Sequence, residues 1–277
     1  MSQQSPQGFN HYRPDIDGLR AIAVLLVVGF HAFPEWVTGG FIGVDIFFVI
    51  SGFLITGIIN NSQGSGTFRY TGFYARRIRR IFPALIVVLL AIALFGYLAL
   101  LPDERIYLGI QIVSGAVFIT NFTLLNSMGY FAPSIDSLPL MHLWSLGIEE
   151  QFYIFWPLLL SLSFRWKKSI SLVMIVALLS FAANLVSVYD NSIAGFYAPW
   201  CRVWEMAAGG LLAFRKPQSA FSDKRWDNTY AIAGTILLLI AVQLINRDKY
   251  FPGFWALLPV VGAVFLIRAG TETCLNR

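Results

Sequence analysis

A small set of ionisable side chains lies within otherwise apolar stretches of this sequence. An ionisable group in a membrane helix costs at least ~2.5–3.5 kcal/mol at mid-bilayer, so each one invites a functional reading. Arg20 and His31 are eleven residues apart in one such stretch. In a helix that spacing is roughly 16 Å of rise and about three turns, placing both on one face, the arginine at the membrane edge and the histidine deep inside. Histidine near neutral pH is the best single general base for taking a proton from a hydroxyl. The competing reading is a histidine hydrogen-bonded to a neighbouring helix and an arginine snorkelling to the interface. Asp45 stands in GFIGVDIFFVISGFLI. A buried carboxylate needs a donor, either His31 or an arginine. Ser51-Gly52 interrupts the same run and allows close helix packing.

Three further groups complete the set. Arg77 and Arg80 form an R-x-x-R pair on one helical face. Such a pair either attracts anionic lipid or clamps phosphate oxygens with its guanidinium forks. In HLWSLGIEEQFYIFWP, Ser145 and Glu149 share a face with Tyr153, and Glu150 is adjacent. If this helix crosses lipid, one of the two glutamates points into the bundle. Arg202 and Glu205, three residues apart in PWCRVWEMAAGG, form either a structural ion pair or part of a substrate site.

These residues must be positioned by membrane helices. The chain has 277 residues, 57% hydrophobic and 13% charged, with a mean hydropathy of +0.65. A typical soluble domain carries about 25% charged residues. The net charge of +5 sits between apolar stretches, so it reads as cytoplasm-facing topogenic charge and not as a nucleic-acid surface. Cys201 and Cys274 are too few and too far apart for a disulfide framework or a zinc site. The first apolar run, 19–36, is too long for a signal-peptide core.

About nine candidate spans follow at roughly 20 residues each: 19–36, 41–59, 84–101, 106–125, 143–164, 170–188, 196–214, 230–245 and 254–267. The stretch 68–82 reads as an interfacial amphipathic helix, with Pro83 opening the next one. Residues 126–142 read as a loop. The fold class expected is therefore all-α, a polytopic helical bundle, since only helices and closed barrels satisfy backbone polarity in lipid. Residues 1–17 form a cytoplasmic tail and 18–277 a single membrane domain. The basic clusters at 76–80 and 165–168 should both face the cytoplasm, yet three candidate spans separate them. One element within 84–163 is therefore expected to be re-entrant or short.

Four stretches together resemble the acyltransferase 3 family of membrane acyltransferases: DGLRAIAVLLVVGFH (17–31), GVDIFFVISGFLI (43–55), FYARRIRRIFP (73–83) and LWSLGIEEQFY (143–153). The order and spacing of all four agree, and the nearest resemblance is to bacterial members that O-acetylate O-antigen and other surface glycans. The resemblance places the family's arginine–histidine pattern on Arg20 and His31, its R-x-x-R pair on Arg77 and Arg80, and its acidic residue on Glu149, with Glu150 as the neighbouring candidate. Asp17 opens the first motif. The resemblance implies transfer of an acetyl or other acyl group, usually from acyl-CoA (acetyl-CoA for acetyl), on the cytoplasmic side of the bacterial inner membrane. It also implies a carbohydrate or glycolipid acceptor. No permanently bound cofactor, metal or nucleic acid is expected. Family domains usually have about ten helices with a late S-Y-S-x-Y-L-x-H-like element, and many add a periplasmic SGNH domain. This sequence ends at Arg277 with neither.

On this reading His31 serves as general base or carries the acyl group itself. Glu149 or Asp45 orients the imidazole, as the carboxylate of a Ser-His-Asp triad does. Arg77, Arg80 and Arg20 hold the coenzyme A phosphates. A second reading is a proton-coupled transporter with His31, Asp45 and Glu149 as a relay. A third is an inactive membrane partner.

Overall fold

The computed structural model describes residues 12–126, 138–215, 224–246 and 249–273. Among these residues the fold is all helical. Eleven α-helices follow in order: α1 Pro14–Ala32, α2 Gly43–Gly64, α3 Tyr70–Ala99, α4 Pro102–Ala116, α5 Thr120–Asn126, α6 Leu143–Arg165, α7 Ser169–Asp190, α8 Ser192–Tyr197, α9 Pro199–Leu212, α10 Lys224–Leu244 and α11 Leu257–Ala269. Short 3-10 turns, Gly40–Ile42 and Gly253–Ala256, lead into α2 and α11. The expected tail at 1–17 and loop at 126–142 lie mostly outside the described residues, as does Cys274.

Among the described residues four helices are long and apolar enough to cross a membrane: Gly40–Gly64, Tyr70–Ala99, Ser169–Asp190 and Arg225–Leu244. The count of about nine spans is not reproduced, for two reasons. The first is that α1 and α6 have spanning length but carry several charged residues, Asp15, Asp17 and Arg20 in one and Glu149 and Glu150 in the other. The second is that several apolar runs are divided or merged by backbone geometry.

The merger is α3. Residues 68–82 and 84–101 do not form two elements. One 30-residue helix runs through Pro83, forgoing the hydrogen bond from residue 83 to the Arg79 carbonyl. The division falls at 117–119, within the candidate span 106–125. Phe118 adopts a left-handed φ of 59°. Its N–H donates to the Gly115 carbonyl and that of Ile119 to the Ser114 carbonyl. This is a Schellman termination with a phenylalanine where glycine is usual. The strain is held by α6, where Gln151 Nε2 donates to the Phe118 carbonyl at 2.8 Å. A short, broken element therefore does lie within 84–163. Pro199 likewise ends α8 and begins α9 by holding Ala198 extended.

A third boundary moves the most important residue. Pro34 forbids helical geometry at Phe33, so α1 stops at Ala32 and does not reach Trp36. His31 is thus in the last turn of α1, exposed, and not buried midway along the helix.

At the centre is α2, buried on most of its surface between α1, α6, α9 and α11. It crosses α9 at glycines. A Cβ on Gly52 would lie 1.8 Å from the Met206 carbonyl, and one on Gly209 would lie 1.9 Å from that of Val49. This small-residue contact brings the two backbones together. By contrast α3 turns Val87, Leu90, Leu94 and Phe95 outward, as a lipid-facing helix does.

Candidate active site

The end of α1 and the start of α6 bring two imidazoles together. His31 Nδ1 lies 2.8 Å from the Val27 carbonyl oxygen. A carbonyl only accepts, so Nδ1 carries the proton and donates it, which leaves the Nε2 lone pair free. The ring of His142, one residue before α6, meets the His31 ring edge-on, with centroids 4.3 Å apart and planes at 86°. Phe30 packs on His31 from its other neighbour position, at 5.0 Å. Both histidines line a cavity of about 420 Å³ with Phe41, Trp144, Phe196 and Phe251. Ser145 also lines it, as do Asn246 and Lys249.

Asp45 does not orient His31. It lies fully buried against Arg202, in an ion pair of 3.3 Å, and Arg202 pairs with Glu205 at 2.9 Å. All three side chains are shielded from solvent. The guanidinium is also enclosed by the rings of Phe48, Trp144, Phe196 and Phe251, 5.5–5.8 Å from each centroid. The last three also wall the cavity, so Arg202 lies directly behind it. The α2–α9 glycine contact makes this triad, because it sets Asp45 of one helix beside Arg202 of the other.

Glu149 does not orient His31 either. It accepts from Ser51 Oγ of α2 at 3.0 Å and from Tyr153 Oη at 2.8 Å. The rise along α6 from His142 to Glu149 is roughly 10 Å, which sets the carboxylate well away from the imidazoles. Tyr153 continues the line: the Arg77 guanidinium stands over its ring at 5.2 Å and over that of Phe73 at 5.8 Å. Arg80 is exposed on the same helix, beside Arg77. Glu150 is buried, and its Oε1 has no hydrogen-bond partner among the described residues. Ser145 donates a long bond of 3.4 Å back to the His142 carbonyl.

Arg20 pairs with Asp17 at 2.9 Å on the surface of α1. Asp17 also holds the Tyr12 phenol above its usual range, by a hydrogen bond first and by its charge second. Cys201 is a buried free thiol. Among the described residues no three His, Cys, Asp or Glu side chains gather as a metal-binding group.

The site residues fall mainly into three clusters, with Arg20 and Asp17 paired apart from them on α1 and Glu149 and Glu150 between the first and the third. The first is the pair of imidazoles with the cavity. The second is the buried triad behind it. The third, on the other side of Glu149, is the R-x-x-R pair. Residues 13–274 match the family described as "Acyltransferase domain", Acyl_transf_3. The chain belongs to the acyltransferase 3 family. It is 36% identical over 260 residues to a Staphylococcus aureus protein named "Putative O-acetyltransferase", a match covering 88% of this chain and 43% of that relative. It is 33% identical over 240 residues to the Listeria monocytogenes peptidoglycan O-acetyltransferase OatA, covering 82% of this chain and 38% of OatA. It is also 32% identical over 241 residues to an uncharacterised protein of Haemophilus influenzae, covering 83% of this chain and 98% of that relative. The chain thus spans less than half the length of the first two. No solved structure matches it.

Two site features escaped the sequence reading. One is His142, whose only signal was being one of three histidines in the chain, placed at the head of the WSL element. The other is the Val27 carbonyl, because a backbone acceptor leaves no mark on residue types.

Proposed function

We propose that this protein is an inner-membrane O-acyltransferase. It takes an acetyl group from acetyl-CoA and transfers it to a hydroxyl of a cell-surface carbohydrate. The observation that carries this reading is a separation. Arg77 stands over Tyr153, and His142 precedes α6. Eleven residues divide them, which is roughly 16 Å of helical rise. Arginine forks suit phosphate oxygens, and the imidazole at the far end suits acyl transfer. A substrate that engages both has phosphates at one end and a reactive group on a long arm. Acyl-CoA, with its pantetheine arm, is such a molecule.

The basic end belongs to the cytoplasm by the positive-inside rule, and the N-terminus with it. The cavity then opens on the opposite side, where a glycan acceptor is found. Its aromatic walls and its serine, asparagine and lysine rim suit the apolar faces and hydroxyls of a sugar. OatA acts on peptidoglycan by its name. Lipopolysaccharide O-antigen is the acceptor suggested by the motif resemblance, and both are glycans carrying free hydroxyls.

In the reaction the Val27 carbonyl holds Nδ1–H and so fixes the His31 tautomer, the task that a carboxylate performs in a Ser-His-Asp triad. The exposed Nε2 lone pair is then available to take a proton or to attack a carbonyl. Arg202 with Asp45 and Glu205 keeps the aromatic walls in place.

The test is transfer of labelled acetyl from acetyl-CoA to a glycan acceptor by purified protein in lipid. The His31→Ala variant should fold normally, because an exposed side chain changes stability by about 0.5 kcal/mol or less, and should lose transfer. Retained transfer by a folded His31→Ala protein refutes the assignment. Proton flux without acetyl transfer would instead support the transporter reading.

A further inference from the structure

We infer that His142 is a second catalytic base, responsible for the acceptor half of the reaction, while His31 carries the acyl group between the two halves. The inference rests on the acyl-CoA reading above and adds a residue and an order of events to it.

The donor end and the acceptor cavity lie on opposite sides of Glu149, so the two substrates approach His31 from opposite directions. An acyl group held on His31 lets each substrate come and go alone. In the first half, the His31 Nε2 lone pair attacks the thioester carbonyl and forms a C–N bond. The C–S bond breaks, and coenzyme A leaves as its thiolate. His31 keeps its Nδ1–H on the Val27 carbonyl throughout, 2.8 Å away.

In this acylated state both nitrogens of His31 are occupied, Nε2 by the acyl group and Nδ1–H by the backbone. His31 has no lone pair left for the acceptor proton. A second base is needed within reach of the same carbon. His142 stands there, ring against ring at 4.3 Å, and lines the same cavity. The other polar groups at the cavity are Ser145, Ser192, Tyr197, Asn246 and Lys249. None of these is an imidazole. Glu149 is engaged by Ser51 and Tyr153, and Asp45 and Glu205 by Arg202. In the second half the acceptor hydroxyl attacks the acyl carbon and gives its proton to a His142 ring nitrogen. The C–N bond breaks and its electron pair returns to Nε2. His142 then releases the proton, balancing the thiolate formed in the first half.

The experiment compares wild type, His142→Ala, His142→Gln and the double variant His31→Ala/His142→Ala in lipid, with labelled acetyl-CoA and a glycan acceptor. Wild type should release thiol and label the acceptor with repeated turnover; failure of both would defeat the acyl-CoA reading itself. The two His142 single variants should release about one equivalent of thiol per chain and retain the label on His31 by rapid-quench mass spectrometry. Their transfer to acceptor should fall by about 100-fold or more, the usual worth of a general base. Added imidazole should restore part of that loss in His142→Ala. The double variant should release no thiol. Wild-type transfer by His142→Gln overturns the proposal. So does a His142 variant that binds acetyl-CoA but holds no acyl group. Loss of acetyl-CoA binding in both single variants overturns it as well, since His142 would then serve the fold.

Discussion

Replacing Arg202 with methionine tests whether the triad behind the cavity is held as the structure shows. The guanidinium pairs with Asp45 at 3.3 Å and Glu205 at 2.9 Å, with side-chain exposures of 1% for the arginine and 0% for each acid. Removing one member of a buried ion pair costs about 3–5 kcal/mol, because a buried charge is left uncompensated. Here one arginine serves two acids, and it also loses four aromatic faces. Methionine keeps much of the volume, so the cavity contribution is small. The expected loss is about 4 kcal/mol, close to three powers of ten in the folded-to-unfolded ratio. Unfolding by SDS in mixed micelles, followed by helix content, measures it. The triple variant Asp45→Asn/Arg202→Met/Glu205→Gln should recover most of the loss, since a neutral cluster of similar volume carries no desolvated charge. A single variant within about 1 kcal/mol of wild type would refute this account, on the scale of an exposed pair. A triple variant no better than the single would refute it too.

Gly52→Ala should destabilise by about 1–3 kcal/mol or more in the same assay, because its Cβ would lie 1.8 Å from the Met206 carbonyl. Gly109→Ala in α4, where nothing lies within 4 Å, should be neutral or stabilising by up to about 1 kcal/mol; equal losses at the two glycines would contradict the close crossing. Arg77→Ala/Arg80→Ala should weaken acetyl-CoA binding by at least about tenfold, at about 1.5–3 kcal/mol per hydrogen bond to a charged group, with acceptor binding unchanged. Unaltered donor affinity in a direct titration would end the phosphate-clamp reading. Lysine at position 77 should recover only part of the affinity, since an ammonium lacks the planar fork that stacks on Tyr153.

The residue types by themselves were enough to point to a helical membrane protein and to single out most of the ionisable side chains discussed above, though not His142. Apolar runs of spanning length leave few choices of fold, and a charged group deep inside one is costly unless it is paired or faces a cavity. Pro34 ends α1 and Pro199 starts α9 through sterics confined to adjacent residues, although the candidate spans 19–36 and 196–214 run through both prolines. The α4–α5 break was not legible, because it depends on Gln151 of a distant helix capturing the Phe118 carbonyl. Partner choice was not legible either. Asp45 needed a cation, but periodicity cannot say whether that cation is His31 or Arg202. The decision came from Gly52 and Gly209, which let α2 and α9 approach until Asp45 meets Arg202. In the same way Glu149 found Ser51 and Tyr153, and His31 found a carbonyl in its own helix and the ring of His142. Helix-forming tendency and hydrophobicity are read one segment at a time, whereas the pairing of buried polar groups depends on which helix faces meet and at what depth.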